Sequence, residues 1–395
     1  MRDLARLDIS PGTRVLVRAD LNVPIDDGVV QDELRIDAVL PTLANLSERG
    51  AVVVVCSHLG RPKGKVVPEL SLAPVAARLG EKLGADVSLQ PAVVGAEVEA
   101  NVAALGPGDV TLLENLRFEA GEEADDPAFA ARLARLADVY VNDAFGVCHR
   151  AAASVVGICA LLPHAAGLLV EAEVKAFGRI LADPPRPFVA ILGGAKVSDK
   201  LGVIDALLDK VDVLLVGGAM AFTFARAEGG SIGRSLCEDD RLGDVRAAVA
   251  RAGELGKELL LPVDVVCATE IAEGADTRVT APTEVPDGWI GLDVGPRTVE
   301  LFASRIASAG SVLWNGPMGV FETPPFDAGT RGVAEAFAAT GAFTVAGGGD
   351  SAAALRRMGL ADRIDHLSTG GGASLEYIES GDLPGLAALR SPDPV

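Results

Sequence analysis

Polar and charged side chains collect directly after the short apolar runs in the first half of this 395-residue chain. They are Arg18, Asp20 and Asn22 after the first run, His58, Arg61 and Lys63 after the second, Arg117 after the third, Arg150 after the fourth, and Arg35 at the start of the first predicted helix. Taken singly, such an arginine is usually a surface residue in a weak ion pair. Several guanidinium groups at successive element ends instead predict a shared anion site, because each planar fork binds carboxylate or phosphate oxygens in pairs.

Four glycine clusters follow apolar runs in the second half: LGGAK (192–196), VGGAM (216–220), AGGGDSAAALRRM (346–358) and STGGGASLE (368–376). In the third cluster a helix is predicted to begin at Ser351, and backbone N–H groups at a helix start bind phosphate oxygens. Asp350 would repel phosphate there unless a cation lay between them, which predicts Mg²⁺ held by Asp350 and phosphate oxygens. The alternative is that Asp350 is only an N-cap.

Lys196 and Lys200 lie four residues apart just after an apolar run. If a helix starts there, both ammonium groups share one face and could neutralise a phosphoryl group during transfer. The alternative is a solvated helix edge.

The same motifs leave other functions open and exclude some. Gly347, Gly349 and Ala352 fit the degenerate pattern G-x-G-x-x-A, so an NAD-type oxidoreductase is a rival, although an aspartate beside the pyrophosphate is unfavourable. A catalytically silent phosphosugar- or nucleotide-binding module is a second rival. The Walker A sequence and the protein-kinase motif set are absent. The net charge of −20 disfavours a nucleic-acid partner.

Short β-branched runs alternate with helical patterns along the chain. The runs are RVLVRAD (14–20), AVVVVCSH (51–58), VTLLENL (110–116), VYVNDA (139–144), FVAILGG (188–194), VLLVGG (213–218), LLLPVDVVCA (259–268), SVLWNG (311–316) and FTVAGGG (343–349). Continuous apolar runs separated by helices predict parallel sheets covered on both faces. The fold class is therefore α/β, with two doubly wound, Rossmann-like domains.

The prolines of ADPPRPF (182–188) mark a break between a helix and the next strand, and the preceding helical stretch is a candidate hinge helix. We place the domains at 1–172 and 173–375 and expect the tail, 376–395, to pack back on the first. The apolar segment 151–170 contains Pro163 and His164, so we expect it to be buried in the protein and not to span a membrane. Five cysteines without C-x-x-C spacing, and an N-terminus without an apolar signal, predict a cytoplasmic protein with reduced thiols.

Eight motifs standing in order resemble those of the phosphoglycerate kinase family over nearly the whole chain. They are RADLNVP (18–24), DELRI (32–36), SHLGRPKG (57–64), LLENLRF (112–118), GGAKVSDK (193–200), WNGPMGVFE (314–322), AGGGDS (346–351) and STGGGASLE (368–376). The resemblance implies two lobes joined by a hinge, usually in a monomer. It implies the reversible reaction of 1,3-bisphosphoglycerate with ADP, giving 3-phosphoglycerate and ATP in glycolysis, with in-line transfer after hinge closure.

Carried over by motif, the resemblance implies three groups of site residues. Phosphoglycerate would be bound by Asp20, Leu21, Asn22, Arg35, His58, Leu59, Gly60, Arg61, Arg117 and Arg150. The nucleotide would be bound by Lys200, Gly217, Gly218, Gly291, Asn315, Pro317, Glu322, Gly348, Gly349, Asp350 and Ser351, with Glu322 at the ribose and Asp350 on Mg²⁺. The moving phosphoryl group would be stabilised by Arg35, Lys196 and Lys200. Glu173 and His366 match positions that the family couples across the hinge.

The chain departs from the family pattern at two positions of interest. Ala152 stands where the family usually has a second histidine after the His149–Arg150 pair, and Ala219 stands where it has a third glycine. These departures bear on substrate affinity and on the adenine pocket rather than on the reaction.

Overall fold

The computed structural model describes residues 1–394 and divides into two compact units. The first unit holds Met1–Val174 and the C-terminal segment from Asp382, and the second holds Lys175–Gly381. The first division lies inside a helix, Leu168–Ala182, which belongs in part to each unit. Residues 376–380, which we assigned to the tail, instead complete a helix of the second unit.

The first unit is built on one parallel sheet. The strands of this unit are β1 (Arg14–Ala19), β2 (Ile25–Asp26), β3 (Val29–Val30), β4 (Val52–Cys56), β5 (Val87–Leu89), β6 (Val110–Leu112), β7 (Val139–Asp143) and β8 (His164–Ala166). Strands β2 and β3 form a separate antiparallel pair, and the other six form the parallel sheet. Its helices are α1 (Leu34–Glu48), α2 (Ala73–Leu83), α3 (Ala96–Ala103), α4 (Ala120–Glu123), α5 (Pro127–Ala134) and the shared α6 (Leu168–Ala182). Short 3₁₀ turns occupy Leu4–Arg6, Pro68–Leu70, Leu116–Phe118, Phe145–Val147 and Gly157–Ala160.

The strand order β5-β6-β4-β1-β7-β8 fixes where a ligand can bind in this unit. From β1 the chain adds β4, β5 and β6 on one side of the sheet and then β7 on the other, so the order of the strands reverses at β1. Ligands of open α/β sheets bind beyond the carboxyl ends of the strands at such a point. Buried valines from β1 and β4 form the core beneath it, including Val15, Val17, Val53 and Val55.

The second unit repeats the scheme with additional strands. Its strands are β9 (Phe188–Leu192), β10 (Val213–Val216), β11 (Ser231–Ile232), β12 (Glu258–Leu260), β13 (Val265–Ala268), β14 (Arg278–Thr280), β15 (Glu284–Val285), β16 (Ile290–Val294), β17 (Ser311–Asn315), β18 (Phe343–Gly347) and β19 (His366–Leu367). Its helices are α7 (Leu201–Leu208), α8 (Ala221–Ala227), α9 (Leu242–Glu254), α10 (Pro296–Ala307), α11 (Ala328–Ala339), α12 (Gly349–Arg357) and α13 (Gly372–Ser380), with 3₁₀ turns at Asp239–Arg241 and Ala361–Arg363. The C-terminal segment of the first unit contains α14 (Pro384–Ala388).

The parallel sheet of the second unit has the order β12-β10-β9-β17-β18-β19, so the order in which the chain adds strands reverses between β9 and β17. The predicted doubly wound α/β class is confirmed for both units. One predicted strand is wrong: 259–268 forms two strands, because Pro262 interrupts the run. The part before it, β12, joins the parallel sheet, while β13 pairs antiparallel with β14 and β16 in a separate sheet.

Segment 151–170 contains a 3₁₀ turn, strand β8 and the first residues of α6. Across residues 1–394, no helix is both long enough and apolar enough to cross a membrane.

Candidate functional site

Arg18 anchors a cationic cluster at the carboxyl end of β1. Its buried guanidinium donates from Nε to Ser154 Oγ at 2.9 Å and from Nη2 to His58 Nδ1 at 3.2 Å. Because a guanidinium group can only donate, Nδ1 of His58 is the acceptor and the ring proton lies on Nε2. The sequence placed Arg18 at a strand end, but the family motifs did not assign it to the site.

The imidazole of His58 is neutral because it lies inside a positively charged, buried environment. Burial is the main cause that holds the pKa of His58 well below its ordinary value. Four guanidinium groups add to the lowering: Arg18, Arg117, Arg35 and Arg150. Four of the predicted strand-end and helix-start arginines therefore act on one point, as an anion site requires.

The loop after β1 connects this cluster to α1. Because α1 begins at Leu34, Arg35 lies in its first turn, and its Nη1 donates to the carbonyl oxygen of Asn22 at 2.7 Å and lies 3.5 Å from Asp20 Oδ1. The side-chain oxygen of Asn22 accepts from Gly60 N at 2.9 Å. The contact of Asn22 with Gly60 joins the loops that follow β1 and β4, and the contacts of Arg35 with Asn22 and Asp20 hold Arg35 against the first of these loops.

Arg117 follows β6 in the 3₁₀ turn Leu116–Phe118. Its Nη1 donates to the carbonyl oxygen of Gly60 at 2.7 Å. The buried amide of Asn115 holds the same loop from both sides, accepting from Leu59 N at 3.1 Å and donating to Leu59 O at 2.7 Å. Leu59 and Leu21 bury their side chains, so only their backbone groups are available to a ligand.

An open cavity of about 270 Å³, here called the arginine cavity, lies beside this cluster. It is lined by Arg18, Arg117, Glu122, Glu123, Val147, Arg150, Ala151, Ala152 and Val155. Ala152, one of the two departures from the family pattern, is thus part of the wall. Arg61 is exposed and is not among the lining residues.

In the second unit, a cavity of about 420 Å³ lies at the point where the sheet changes direction, and we call it the glycine-loop cavity. Its lining includes Lys196, Lys200, Asn315, Gly348–Ser351 and Gly371–Gly372. Three helices begin at these residues: α7 directly after Lys200, α12 at Gly349 and α13 at Gly372. The N-cap residue of none of the three makes a side-chain hydrogen bond to its helix, so these positive ends are available to an anion. The sequence predicts only the start of α12 as a phosphate site, and it places that start at Ser351, two residues later than the structure does.

Asn315 connects the parts of this cavity. Its Nδ2 donates to the carbonyl oxygen of Gly347 at 2.9 Å, and its Oδ1 contacts Lys200 Nζ. Ser351 Oγ accepts from Gly316 N at 2.6 Å, which attaches the start of α12 to the loop after β17. Gly348 has a φ of +95°, a value that favours glycine and turns the chain from β18 into α12.

Lys200 has a pKa well below the ordinary value of a lysine. Burial lowers its pKa from 10.5 to about 8, against the opposing effect of Asp199 and Asp350. Lys196, in contrast, is exposed. The two lysines would share a helix face only if a helix included both, and it does not, because 197–200 forms a turn and α7 starts at Leu201.

A second cavity, of about 400 Å³, shares Gly194, Ala195 and Asp350 with the glycine-loop cavity. This apolar cavity has a mostly hydrophobic lining that includes Phe222, Val265, Ile290, Leu292, Met318 and Val320. The predicted residues Gly218, Gly291, Pro317 and Glu322 also line it, as does Ala219, the other departure from the family pattern. Gly217 is not among the lining residues of either cavity. A flat apolar ring fits here, with Glu322 available to accept hydrogen bonds from hydroxyl groups.

The residues around Asp350 fit a magnesium ion held jointly with a ligand. Asp350 is exposed, lines both cavities and lies in the first turn of α12. Within residues 1–394 no three acidic, histidine or cysteine side chains form a metal cluster. One carboxylate beside a site for phosphate oxygens is a common magnesium arrangement, since this ion keeps several waters and takes few protein ligands.

Asp293, in β16, was not identified from the sequence, although it is an acidic residue inside the apolar run IGLDV. It lines the apolar cavity and is buried, and its carboxyl group accepts from Val294 N at 2.9 Å and from Gly329 N at 2.6 Å. It therefore attaches the start of α11 to the sheet. Burial is the main cause that raises its pKa from 3.8 to about 8.

The raised pKa of Asp293 predicts a pH-dependent stability. A carboxyl group whose folded pKa lies above its unfolded value stabilises the fold fully below about pH 4, and this contribution is lost as the pH rises through about 8. We expect the thermal unfolding midpoint of Asp293→Asn to be lower overall, since one N–H loses its acceptor at a cost of about 1–3 kcal/mol. Its midpoint should nevertheless fall less than that of the unmodified protein between pH 5 and 8.

Thermal unfolding measured at several pH values checks this, with the exposed Asp287→Asn as the control for loss of one acidic group. An equally steep decline in the Asp293→Asn protein would show that Asp293 does not contribute to the pH dependence.

Comparison with known proteins gives one consistent result. The family model described as phosphoglycerate kinase matches residues 4–381. Phosphoglycerate kinases from two strains of Thermus thermophilus are each 56% identical over 387 residues, which covers 97% of this chain and 99% of each relative. The structure is similar to that of phosphoglycerate kinase from Coxiella burnetii, with a TM-score of 0.88, 42% identity and 98% of both chains covered. It is also similar to the enzyme from Pyrococcus horikoshii, with a TM-score of 0.86, 32% identity and coverage of 99% of this chain and 98% of that one.

Proposed function

Because the chain belongs to the phosphoglycerate kinase family, we propose that its first unit binds phosphoglycerate and its second unit binds the magnesium nucleotide. The chain is a phosphotransferase of glycolysis that catalyses the reversible transfer of a phosphoryl group between 1,3-bisphosphoglycerate and ADP. The observation that carries the division between units is the continuity of two cavities in the second unit. The apolar cavity and the glycine-loop cavity share Asp350, so a nucleoside and its phosphates can occupy them together.

The residues of the two units have different roles in this proposal. Arg18, Arg117 and Arg150 attract the phosphate of phosphoglycerate, while Arg35, held by Asn22, is directed to the carboxyl end of the same molecule. Lys200 and the starts of α7, α12 and α13 neutralise the nucleotide phosphates. Asp350 would hold Mg²⁺, which when bound supplies further positive charge to the phosphate oxygens.

The carboxylate of 3-phosphoglycerate is already ionised near neutral pH, so no general base is needed. The residues must align two anions and neutralise charge as the phosphoryl group moves. We propose that this alignment follows closure about α6, which also excludes water. Action as a cytoplasmic monomer is part of the proposal and is supported by the family resemblance and by five unpaired cysteines.

A coupled assay of ATP-dependent phosphorylation of 3-phosphoglycerate, run with and without Mg²⁺, tests the proposed function. Turnover that requires both substrates and the metal would support it. Absence of turnover in pure, folded protein would contradict it and favour a silent binding module, whereas hydride transfer with a nicotinamide cofactor would favour the oxidoreductase alternative.

Asp350→Asn is expected to raise the Mg²⁺ concentration that gives half-maximal rate by roughly 10-fold or more. Loss of a residue that only supports a metal ligand already costs about that much, and Asp350 is the proposed ligand itself. The amide keeps the size of the side chain but loses the charge that attracts the cation. Titration of the rate with Mg²⁺ at saturating ATP measures the change. The matched control is Asp362→Asn, an exposed acidic residue that follows α12. An unchanged Mg²⁺ dependence in the Asp350 variant would remove Asp350 from the metal site.

A further inference from the structure

One carboxylate oxygen in the arginine cavity occupies a position between two of its cations. Glu123 Oε1 lies 3.2 Å from Arg117 Nε and 3.8 Å from Arg150 Nη1. The oxygen thus bridges two guanidinium groups, as a phosphate oxygen would. A ligand that uses both arginines must compete with it.

The neighbouring Glu122 differs from Glu123 in its burial and in its hydrogen bonds. Glu122 is buried, and its carboxylate accepts from Ser154 Oγ at 2.5 Å and from Ser154 N at 3.1 Å, so it is fixed in the wall. The Glu123 side chain is 49% exposed, and its two ion pairs are with Arg117 and Arg150. Glu123 can therefore turn into solvent when another anion arrives, whereas Glu122 cannot without leaving its hydrogen bonds.

We propose that Glu123 is a built-in competitor of the anion that binds at Arg117 and Arg150. It lowers the affinity of this subsite equally for every phosphate-bearing ligand. The inference rests on the proposed function, in which this subsite receives the phosphate of phosphoglycerate. It adds a residue that weakens binding and lies beside the residues that strengthen it.

The competition also limits how much of the subsite free phosphate occupies. In the proposed function, phosphoglycerate would also contact Arg35 and the loop of Asn22, and these contacts would offset the displacement of Glu123. Inorganic phosphate has no atoms to reach them, so we expect its contacts to end at the subsite and its binding to be weak. Glu123 therefore keeps the two arginines ordered when the site is empty and limits their occupation by free phosphate.

Calorimetric titration of the full chain with inorganic phosphate, and separately with 3-phosphoglycerate, tests the proposal in the Glu123→Gln variant. Loss of a partly exposed double ion pair predicts that both dissociation constants fall by about 3- to 10-fold. KM for 3-phosphoglycerate should fall by the same factor while kcat stays within about twofold. Glu123→Asp keeps the charge, so its two dissociation constants should remain closer to those of the unmodified protein.

The matched control is Glu119→Gln, which removes the same charge from the same segment but pairs with Arg132 at 3.6 Å, away from the cavity lining. An unchanged or raised dissociation constant for phosphate in Glu123→Gln would overturn the inference, as would equal tightening in Glu119→Gln. Tighter phosphate binding in Glu123→Gln, with no binding of 3-phosphoglycerate by either protein, would support the inference and contradict the proposed function.

Discussion

Arg35→Ala is expected to lower kcat for phosphoryl transfer by roughly 10²- to 10³-fold, the scale for loss of one preorganised donor to developing charge. The side chain is held at the mouth of the cluster by a single strong bond to Asn22 O, and it is partly exposed. Most of its five N–H donors are therefore available to a substrate. Arg117, in contrast, is nearly buried and donates to Gly60 O, so its loss would disturb the loop as well as the ligand.

Two further variants separate charge from geometry at Arg35. Arg35→Lys keeps the positive charge but cannot present two parallel donors, so its rate should recover only in part. Arg14→Ala is the control, since Arg14 lies at the opposite end of the central strand and pairs with Asp138 on the surface. Steady-state kinetics with both substrates saturating gives the comparison. A kcat of Arg35→Ala near that of the Arg14→Ala control would exclude Arg35 from catalysis.

The parts of the fold that the sequence predicted well are those fixed by local pattern. The run at 51–58 is continuous and β-branched, and its strand, β4, is buried at every position. Prolines at 184, 185 and 187 end α6 and precede β9, as expected from the lack of an N–H and the fixed φ of proline. Periodicity and breakers act over a few residues, so one sequence carries enough information to place these elements.

The failures come from contacts between distant residues. Lys196 and Lys200 have helical spacing, yet Ser198 donates from N and Oγ to the carboxylate of Glu238, at 3.0 Å and 2.6 Å. This contact, forty positions away in sequence, holds 197–200 as a turn and delays the start of α7. No local pattern encodes it.

The candidate site shows the same limit. Strand-end position predicted the arginines, because the carboxyl ends of parallel strands meet at one edge. The pairing of Glu123 with Arg117 and Arg150 depends on how α4 packs beside the cluster, and the convergence of α7 and α13 with α12 depends on the sheet order. These arrangements appear only when the whole unit is assembled.

The value of kcat/KM for ATP should fall about tenfold for each pH unit above about 8, because Lys200 loses its proton there. Burial lowers the folded pKa of Lys200 from 10.5 to about 8, so the ammonium form that neutralises phosphate is lost as the pH rises through that value. The parameter kcat/KM for ATP reports groups of the free enzyme and should show this basic limb. Bound phosphates favour the charged lysine, so the corresponding limb in kcat should appear at a higher pH.

Lys200→Met tests the origin of this limb and should also lower kcat/KM at pH 7 by roughly 10²- to 10³-fold. The residual activity should no longer decline near pH 8, because the titrating group is gone. Lys196→Met is the control: Lys196 lines the same cavity but is exposed, so this variant should keep the limb near 8. If the decline above pH 8 persists in Lys200→Met and disappears in Lys196→Met, the titrating group is Lys196 and the assignment to Lys200 is wrong. Since Lys200 contacts Asn315, and Asn315 bonds to the loop before α12, loss of the proton would weaken the cavity at the point where its helix starts meet.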